Sequence, residues 1–207
     1  MSKPPVYWHK GKKYLSNKDK AMSKLIKSHK GHLTTRNDVF FSLCKSITSQ
    51  QISVSAASSI FLRFNKACGK RITPSIVSKL STNKIKACGL SKMKAKGIKC
   101  LANDILSKKF DPKKIKKMND EKAIEYLSQL KQIGRWSAEM ILMFTFNRSN
   151  IWPVLDLGLQ RAISKNYKKK YPPSKNFVEK LQKKFSPMCT IAVWYLWRSI
   201  DDEPIQY

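Results

Sequence analysis

Acidic residues are scarce in this 207-residue chain, which contains 13 Asp and Glu against 42 Lys and Arg. The resulting formal net charge of +29 far exceeds the magnitude of roughly 2–8 that solubility requires. A charge of this size and sign indicates a polyanionic partner such as nucleic acid. It does not distinguish DNA from RNA, and a solvated lysine surface without a partner is the alternative interpretation.

Other features that would define a class of protein are also missing. The five cysteines are odd in number and contain no Cys-x-x-Cys pair, which argues against a disulfide framework and against a zinc or iron–sulfur site. No run reaches the roughly 18 apolar residues that span a bilayer. The N-terminus has no apolar segment of a secretory signal. We therefore predict buried thiols, no metal, no membrane association, and an intracellular protein of the bacterial cytoplasm or the nucleus.

Apolar residues recur at helical spacing along most of the chain, as Phe177, Leu181 and Phe185 illustrate. No convincing alternation of apolar and polar residues indicates a strand. Residues 138–146 and 191–197 are apolar on every side, which is typical of helices at the centre of a fold. The sequence therefore predicts an all-α protein.

The segment at about 123–146 is the first that suggests a function. An amphipathic helix ends near Leu130, a tight turn containing Ile133 and Gly134 follows, and an apolar helix begins after it. Such a hairpin can direct the N–H groups and the positive dipole end of its second helix towards a phosphate. Arg135 would add positive charge to that contact. An ordinary helix–turn–helix connection predicts the same pattern.

Asp156 stands among apolar neighbours immediately before a helical pattern. Its structural interpretation is an N-cap, which accepts hydrogen bonds from the backbone N–H groups of the following turn. Its functional interpretation is a carboxylate held ionised where water is limited, suited to stabilising positive charge on a sugar or to orienting a water molecule. The two roles are compatible.

These segments resemble a known family. Residues 130–144 (LKQIGRWSAEMILMF) and 152–159 (WPVLDLGL) are similar to the helix-hairpin-helix and Gly/Pro-Asp signature of 3-methyladenine DNA glycosylase II. Residues 46–57 and 186–198 agree with the same family in order and spacing. The resemblance implies two helical lobes around a cleft, in a glycosylase domain over residues 31–207 preceded by a basic N-terminal extension over residues 1–30.

The resemblance also assigns roles to individual residues. Asp156 falls on the family's catalytic aspartate. The implied DNA-binding residues are Gln50, Gln51, Ile133, Gly134 and Arg135, with Gln51 near the position that wedges into the duplex. The implied base pocket contains Trp136, Met140 and Met188. Weaker pocket candidates, for which core packing is the favoured interpretation, are Trp194, Tyr195 and Trp197.

The chain departs from the family's pattern at several positions. Lys131 and Gln132 stand where family hairpins usually have Pro-Gly, so the turn lacks its first glycine. Met188 stands where many relatives have an aromatic residue. In this superfamily the hairpin can hold a monovalent cation through backbone carbonyls, which makes it a candidate cation site, and no other cofactor is expected. Trp136 replaces the hairpin lysine that attacks the sugar in relatives with lyase activity.

The predicted function is therefore that of a monofunctional DNA glycosylase. It would flip alkylated purines of the 3-methyladenine type out of double-stranded DNA and hydrolyse their N-glycosidic bond, as a monomer and without AP lyase activity. One alternative is a non-catalytic helix-hairpin-helix module that only binds DNA. A third class, an RNA- or ribosome-associated protein, is suggested by the charge alone.

Overall fold

The computed structural model describes residues 3–201, and all regular secondary structure in this range is helical, which confirms the predicted all-α class. The α-helices are α1 (Trp8–Lys18), α2 (Lys20–Ser28), α3 (Val39–Ser49), α4 (Val54–Ala67), α5 (Pro74–Lys79), α6 (Thr82–Ala87), α7 (Lys92–Leu106), α8 (Asp120–Ser128), α9 (Arg135–Phe144), α10 (Leu157–Tyr167), α11 (Lys175–Phe185) and α12 (Cys189–Arg198). A 3₁₀ helix occupies Pro112–Lys117. None of the helices within 3–201 has the length and apolarity needed to cross a membrane.

Short polar side chains determine where most helices begin. The residue before each of α2 to α8, α10 and α11 is Ser, Thr, Asp or Asn, and its side chain accepts a hydrogen bond from the N–H three residues later. These bonds satisfy donors that the first helical turn leaves without a partner inside the helix. Helix starts are therefore encoded locally along this chain.

The chain divides into two compact units. Among the described residues, unit 1 is formed by residues 3–35 and 142–201, and unit 2 is formed by Arg36–Ile141. The predicted basic extension over residues 1–30 differs from this arrangement, because α1 and α2 belong to unit 1 and Trp8, Leu15 and Met22 are buried in it. The many lysines on the outer faces of these two helices make the apolar residues that pack into the core difficult to recognise in the sequence.

Helix α12 is the central element of unit 1. It contacts α1, α2, α10 and α11, and every residue from Cys189 to Trp197 is buried. Trp8 packs edge-on against Trp194, with ring centroids 5.3 Å apart. Gly11 allows α1 to approach closely, since a Cβ at that position would overlap the side chain of Ile191. The apolar run that predicted an interior helix is confirmed.

In unit 2, the central helix is α7, which contacts α3, α5 and α6. Its apolar stripe includes Ile98 and Leu101, which are buried. Phe41 of α3 packs edge-on against Phe61 of α4, with centroids 4.9 Å apart. The segment from Ala138 to Ile141 in α9, which the sequence predicted to be interior, is also buried.

The cysteines are all free thiols, and four of the five, Cys44, Cys68, Cys88 and Cys189, are buried, whereas Cys100 is half-buried. Burial raises the pKa of Cys68 to about 11 and also raises the pKa values of Cys44 and Cys88. These three thiols stay protonated at neutral pH and are therefore poor nucleophiles.

Asp19 is a buried charged residue in unit 1. Its carboxylate caps α2 by accepting from Met22 N at 2.9 Å, and it also accepts from Tyr167 Oη at 3.0 Å and Lys184 Nζ at 2.5 Å. Burial alone would raise the pKa of Asp19, but these hydrogen bonds and the charge of Lys184 together lower it. The ionised carboxylate therefore connects α2 to α10 and α11.

Asp19→Asn is expected to lower the free energy of unfolding at pH 7 by about 1–3 kcal/mol, because Lys184 loses its charged partner while the cap is retained. The wild-type contribution is fully present above the pKa of an unfolded Asp, about 3.9, and is lost as the pH falls through the lower folded pKa. The difference between the two proteins should therefore shrink in acid. Denaturant unfolding at pH 7 and at about pH 2–3 measures it.

Asp38→Asn is the matched control for this substitution. Asp38 caps α3 through the same kind of bond, to Phe41 N at 2.9 Å, but it is exposed. Asn is an equally good N-cap, so the expected change is below about 0.5 kcal/mol. Equal losses in the two variants would show that the contacts of Asp19 with Lys184 and Tyr167 add no stabilisation beyond that of an ordinary cap.

Candidate functional site

The predicted hairpin is formed by α8, a turn over residues 129–134, and α9. Ile133 is buried and its N–H donates to the carbonyl of Leu130 at 3.1 Å, whereas Gly134 is exposed. Gln132, which stands in place of the usual glycine, has φ of +69°, in the left-handed region that glycine adopts most easily. The turn therefore keeps a glycine-like backbone with a glutamine side chain.

The side chain of Gln132 has a place to pack because of a glycine in α7. A Cβ at Gly97 would lie 2.7 Å from Gln132 Cγ and 3.7 Å from the carbonyl oxygen of Lys131. A larger residue at position 97 would therefore force the Gln132 side chain to move. Helix α7 is thus the surface on which the hairpin turn rests.

Gln50 holds the same turn from the end of α3. Its Nε2 donates to the carbonyl of Gln132 at 2.6 Å and lies 3.4 Å from Ser137 Oγ. Lys94 Nζ in turn donates to the carbonyls of Thr48 and Gln50, at 2.9 and 2.6 Å, and burial lowers the pKa of Lys94. Gln50, predicted to contact DNA, therefore has its amide on the hairpin instead of directed to solvent.

Gln51 lies beside this network in a different setting. It is exposed, with φ of +57°, at the beginning of the connection to α4. Ile52 is partly exposed, and Val54 in the first turn of α4 is 83% exposed. Apolar side chains that face solvent in this way are suited to insertion between bases. The wedge role of Gln51 stays a prediction.

Arg135, also predicted to bind DNA, is paired with two carboxylates of unit 2. It makes a two-point ion pair with Glu121, at 2.5 and 2.9 Å, and a further one with the buried Glu139 at 3.2 Å. Its side chain is 46% exposed. The side chain therefore joins α8 to α9, and a phosphate would have to compete with Glu121 for it.

The three predicted pocket residues fall in different environments. Trp136 is partly exposed in the first turn of α9, and Met140 is fully buried one turn later in the same helix of unit 2. Met188 is in unit 1, half-buried before α12, where its Sδ would lie 3.1 Å from a Cβ at Gly11. Their roles in base binding stay predictions.

Asp156 is in unit 1, half-buried at the start of α10. Its Oδ1 accepts a hydrogen bond from Leu159 N at 2.5 Å, so the predicted N-cap is present. The same oxygen accepts from Trp197 Nε1 at 2.8 Å. The residues on either side of it in the chain, Leu155 and Leu157, are 66% and 59% exposed, so two apolar side chains face solvent next to Asp156.

Sequence reasoning missed the part played by Trp197, which it treated as a weaker pocket candidate with core packing as the favoured interpretation. The residue is indeed buried, as Trp194 and Tyr195 are, but its N–H reaches Asp156. Gly158 was the available signal. A Cβ there would lie 3.1 Å from Asp156 Oδ1 and 3.4 Å from the Trp197 ring, so this glycine indicates a close approach.

The described residues, 3–201, contain no group of three or more His, Cys, Asp or Glu side chains placed to bind a metal ion. For the hairpin, the carbonyls of Leu130 and Gln132 already accept hydrogen bonds from within unit 2. Bonds from the chain itself therefore support the turn. A monovalent cation at the hairpin stays a prediction.

Comparison with known proteins agrees with this geometry. The pattern of the superfamily described as "HhH-GPD superfamily base excision DNA repair protein" matches residues 44–187, a range that includes both the hairpin and Asp156. The chain belongs to the HhH-GPD superfamily. The HhH-GPD match begins within α3, so α1 and α2 lie outside it although they help to form unit 1.

Individual HhH-GPD relatives cover nearly the whole chain. "Alkylbase DNA glycosidase-like protein mag2" of Schizosaccharomyces pombe is 32% identical, over 96% of this chain and 96% of its own length. "DNA-3-methyladenine glycosylase 1" of the same yeast is 30% identical, over 90% and 85%. The solved structure of the S. pombe 3-methyladenine DNA glycosylase (Mag1) in complex with abasic DNA superposes with a TM-score of 0.79, at 29% identity, over 92% of this chain and 96% of that one.

Gln50→Ala is expected to destabilise the protein by about 1–2 kcal/mol, because the turn carbonyl of Gln132 loses its amide donor in a half-buried site. Gln51→Ala is the matched control, since Gln51 is adjacent and exposed, and a change within about 0.5 kcal/mol is expected. Denaturant unfolding monitors both. If the two variants were equally stable, the bond from Gln50 would not support the hairpin.

Proposed function

We propose that this protein is a monofunctional DNA glycosylase that hydrolyses the N-glycosidic bond of alkylated purines in double-stranded DNA. The observation that carries the proposal is the arrangement of Asp156, whose carboxylate is bound by a helix-terminal N–H and by an indole N–H on one oxygen. The names of the relatives support the substrate class. The positive charge of the chain supports the polyanionic partner.

The protein does not need to activate the base as a leaving group in this reaction. A purine alkylated on a ring nitrogen carries a positive charge, so when the bond from C1′ to the base nitrogen breaks, the base leaves with the electron pair as a neutral molecule. Water then forms a bond to C1′ and gives up one proton to solvent or to the carboxylate. Asp156 stabilises the positive charge that develops on the sugar.

Leu155 and Leu157 would contribute to the same step. Both are exposed beside Asp156, so a bound nucleotide would cover them and they would exclude water around the carboxylate. An ion interacts more strongly with a nearby charge when water is removed from its surroundings. Only the water that attacks C1′ has to remain.

The hairpin residue that cleaves the DNA strand in lyase relatives has no functional equivalent at the same position of this chain. A lyase step needs an amine that attacks C1′ and forms a Schiff base. Trp136 has no such amine at the position where lyase relatives have lysine. We therefore expect abasic DNA as the product, with the strand intact until alkali is added.

Asp156→Asn is expected to lower the single-turnover rate of base release by at least about 100-fold, because the charge is removed while Asn still caps α10. The measurement is release of 3-methyladenine from methylated duplex DNA, with strand breaks scored before and after alkali. Asp38→Asn, which alters a cap of the same type in α3, should leave the rate unchanged.

Three other results would change the proposal. Loss of activity only in Asp38→Asn would move the catalytic role away from Asp156. Duplex binding by the wild-type protein without release of any base would instead support a non-catalytic DNA-binding module. Equal binding of RNA and undamaged DNA without base release would favour the class suggested by charge alone.

Gly134→Ala is expected to weaken binding to undamaged duplex about 3- to 10-fold without loss of stability. A Cβ at Gly134 would meet no protein atom within 4 Å, so packing does not require glycine there. The added methyl would instead hinder the approach of a phosphate to the first turn of α9. Affinity by fluorescence anisotropy, together with thermal unfolding, tests this. Unchanged affinity would show that phosphate does not approach the hairpin here.

A further inference from the structure

We propose that Trp197 is a positioning residue that fixes the orientation of the Asp156 carboxylate. The inference rests on the proposed function, in which Asp156 acts on the sugar. Trp197 acts through Asp156, by donating its indole N–H to Oδ1 at 2.8 Å. The consequence is that the rate of base release depends on an interior residue of α12.

Two donors from different elements meet on one carboxylate oxygen. Leu159 N belongs to the backbone of α10, and Trp197 Nε1 belongs to a side chain of α12. The cap bond holds this oxygen from one direction, along the axis of α10. A second donor on the same oxygen, from another direction, restricts the side chain to one orientation and thereby fixes the position of the other oxygen.

Trp197 is itself held in place. The residue is 5% exposed, and its ring is stacked nearly parallel to that of Phe144, with an interplanar angle of 8° and centroids 6.4 Å apart. An indole in such packing cannot turn to follow a moving acceptor. The direction of its N–H is therefore set by the core of unit 1, and the carboxylate adjusts to it.

Other buried tryptophans of unit 1 do not share this feature. The Nε1 atoms of Trp152 and Trp194 have no hydrogen-bond partner in the part of the chain that the structure describes. Packing alone is thus enough to retain a tryptophan in this core. The bond from Trp197 to Asp156 goes beyond what packing requires.

Gly158 makes the contact possible. A Cβ at this position would lie 3.1 Å from Asp156 Oδ1 and 3.4 Å from both Cδ1 and Nε1 of Trp197. A methyl group would therefore press on both partners of the hydrogen bond. Since Gly158 has no positive φ that demands glycine, the backbone itself would accept alanine.

The first test compares Trp197→Phe with Trp194→Phe. Both replace a buried indole by a phenyl ring, but only the first removes a donor from Asp156. Trp197→Phe should lower the single-turnover rate of 3-methyladenine release about 10- to 100-fold, with duplex affinity within about 2-fold of wild type. Trp194→Phe should lose comparable stability and stay within about 3-fold of the wild-type rate.

The second test, Gly158→Ala, keeps Trp197 in place and decides the matter if Trp197→Phe does not fold. Alanine favours helix over glycine by up to about 1 kcal/mol, so thermal stability should be maintained. The rate should nevertheless fall about 10-fold, because the methyl group displaces the carboxylate from the indole N–H.

The outcomes separate this inference from the proposed function. If wild type releases base and a folded Trp197→Phe matches Trp194→Phe in rate, the positioning role is wrong although the glycosylase function stands. A Gly158→Ala protein at the wild-type rate, where Trp197→Phe cannot be purified folded, overturns the inference equally. If wild type releases no base, the proposed function itself has failed.

Discussion

Helix α12 has no polar face, and four other helices of unit 1 cover it. This packing brings α1 and α2, from the beginning of the chain, to the same core as α10 and α11. It also places Trp197 in the interior beside α10, where its N–H donates to an acceptor on the neighbouring helix start. Asp156 is that acceptor, and the candidate catalytic carboxylate is therefore oriented by the core.

Asp156 combines a structural and a chemical task in one side chain. Its bond to Leu159 N begins α10, and it places the carboxylate that the proposed reaction needs at the positive end of that helix dipole. The two tasks do not conflict, because both use the ionised form. A carboxylate that also caps a helix is held more rigidly than one on a loop, which suits a role in electrostatic stabilisation.

Unit 2 supports its hairpin in a similar way, through contacts that lie behind the surface. Lys94 of α7 donates a hydrogen bond to the end of α3, and a glycine of the same helix leaves space for the Gln132 side chain. Gln50 then connects α3 to the turn. These bonds stabilise a turn that lacks the family's usual glycine. Residues expected at the DNA surface, Gln50 and Arg135, consequently make contacts inside unit 2.

The sequence by itself determined what depends on neighbours along the chain. Helical class follows from apolar spacing, and the cap at Asp156 and the turn at Ile133 follow from bonds between residues three apart. Tertiary structure alone decided that α1 and α2 join the core, that Gln50 binds a turn 82 residues away, and that Trp197 binds Asp156 across 41 residues. Local bonds repeat a sequence pattern, whereas these partners meet only because packing brings distant helices together.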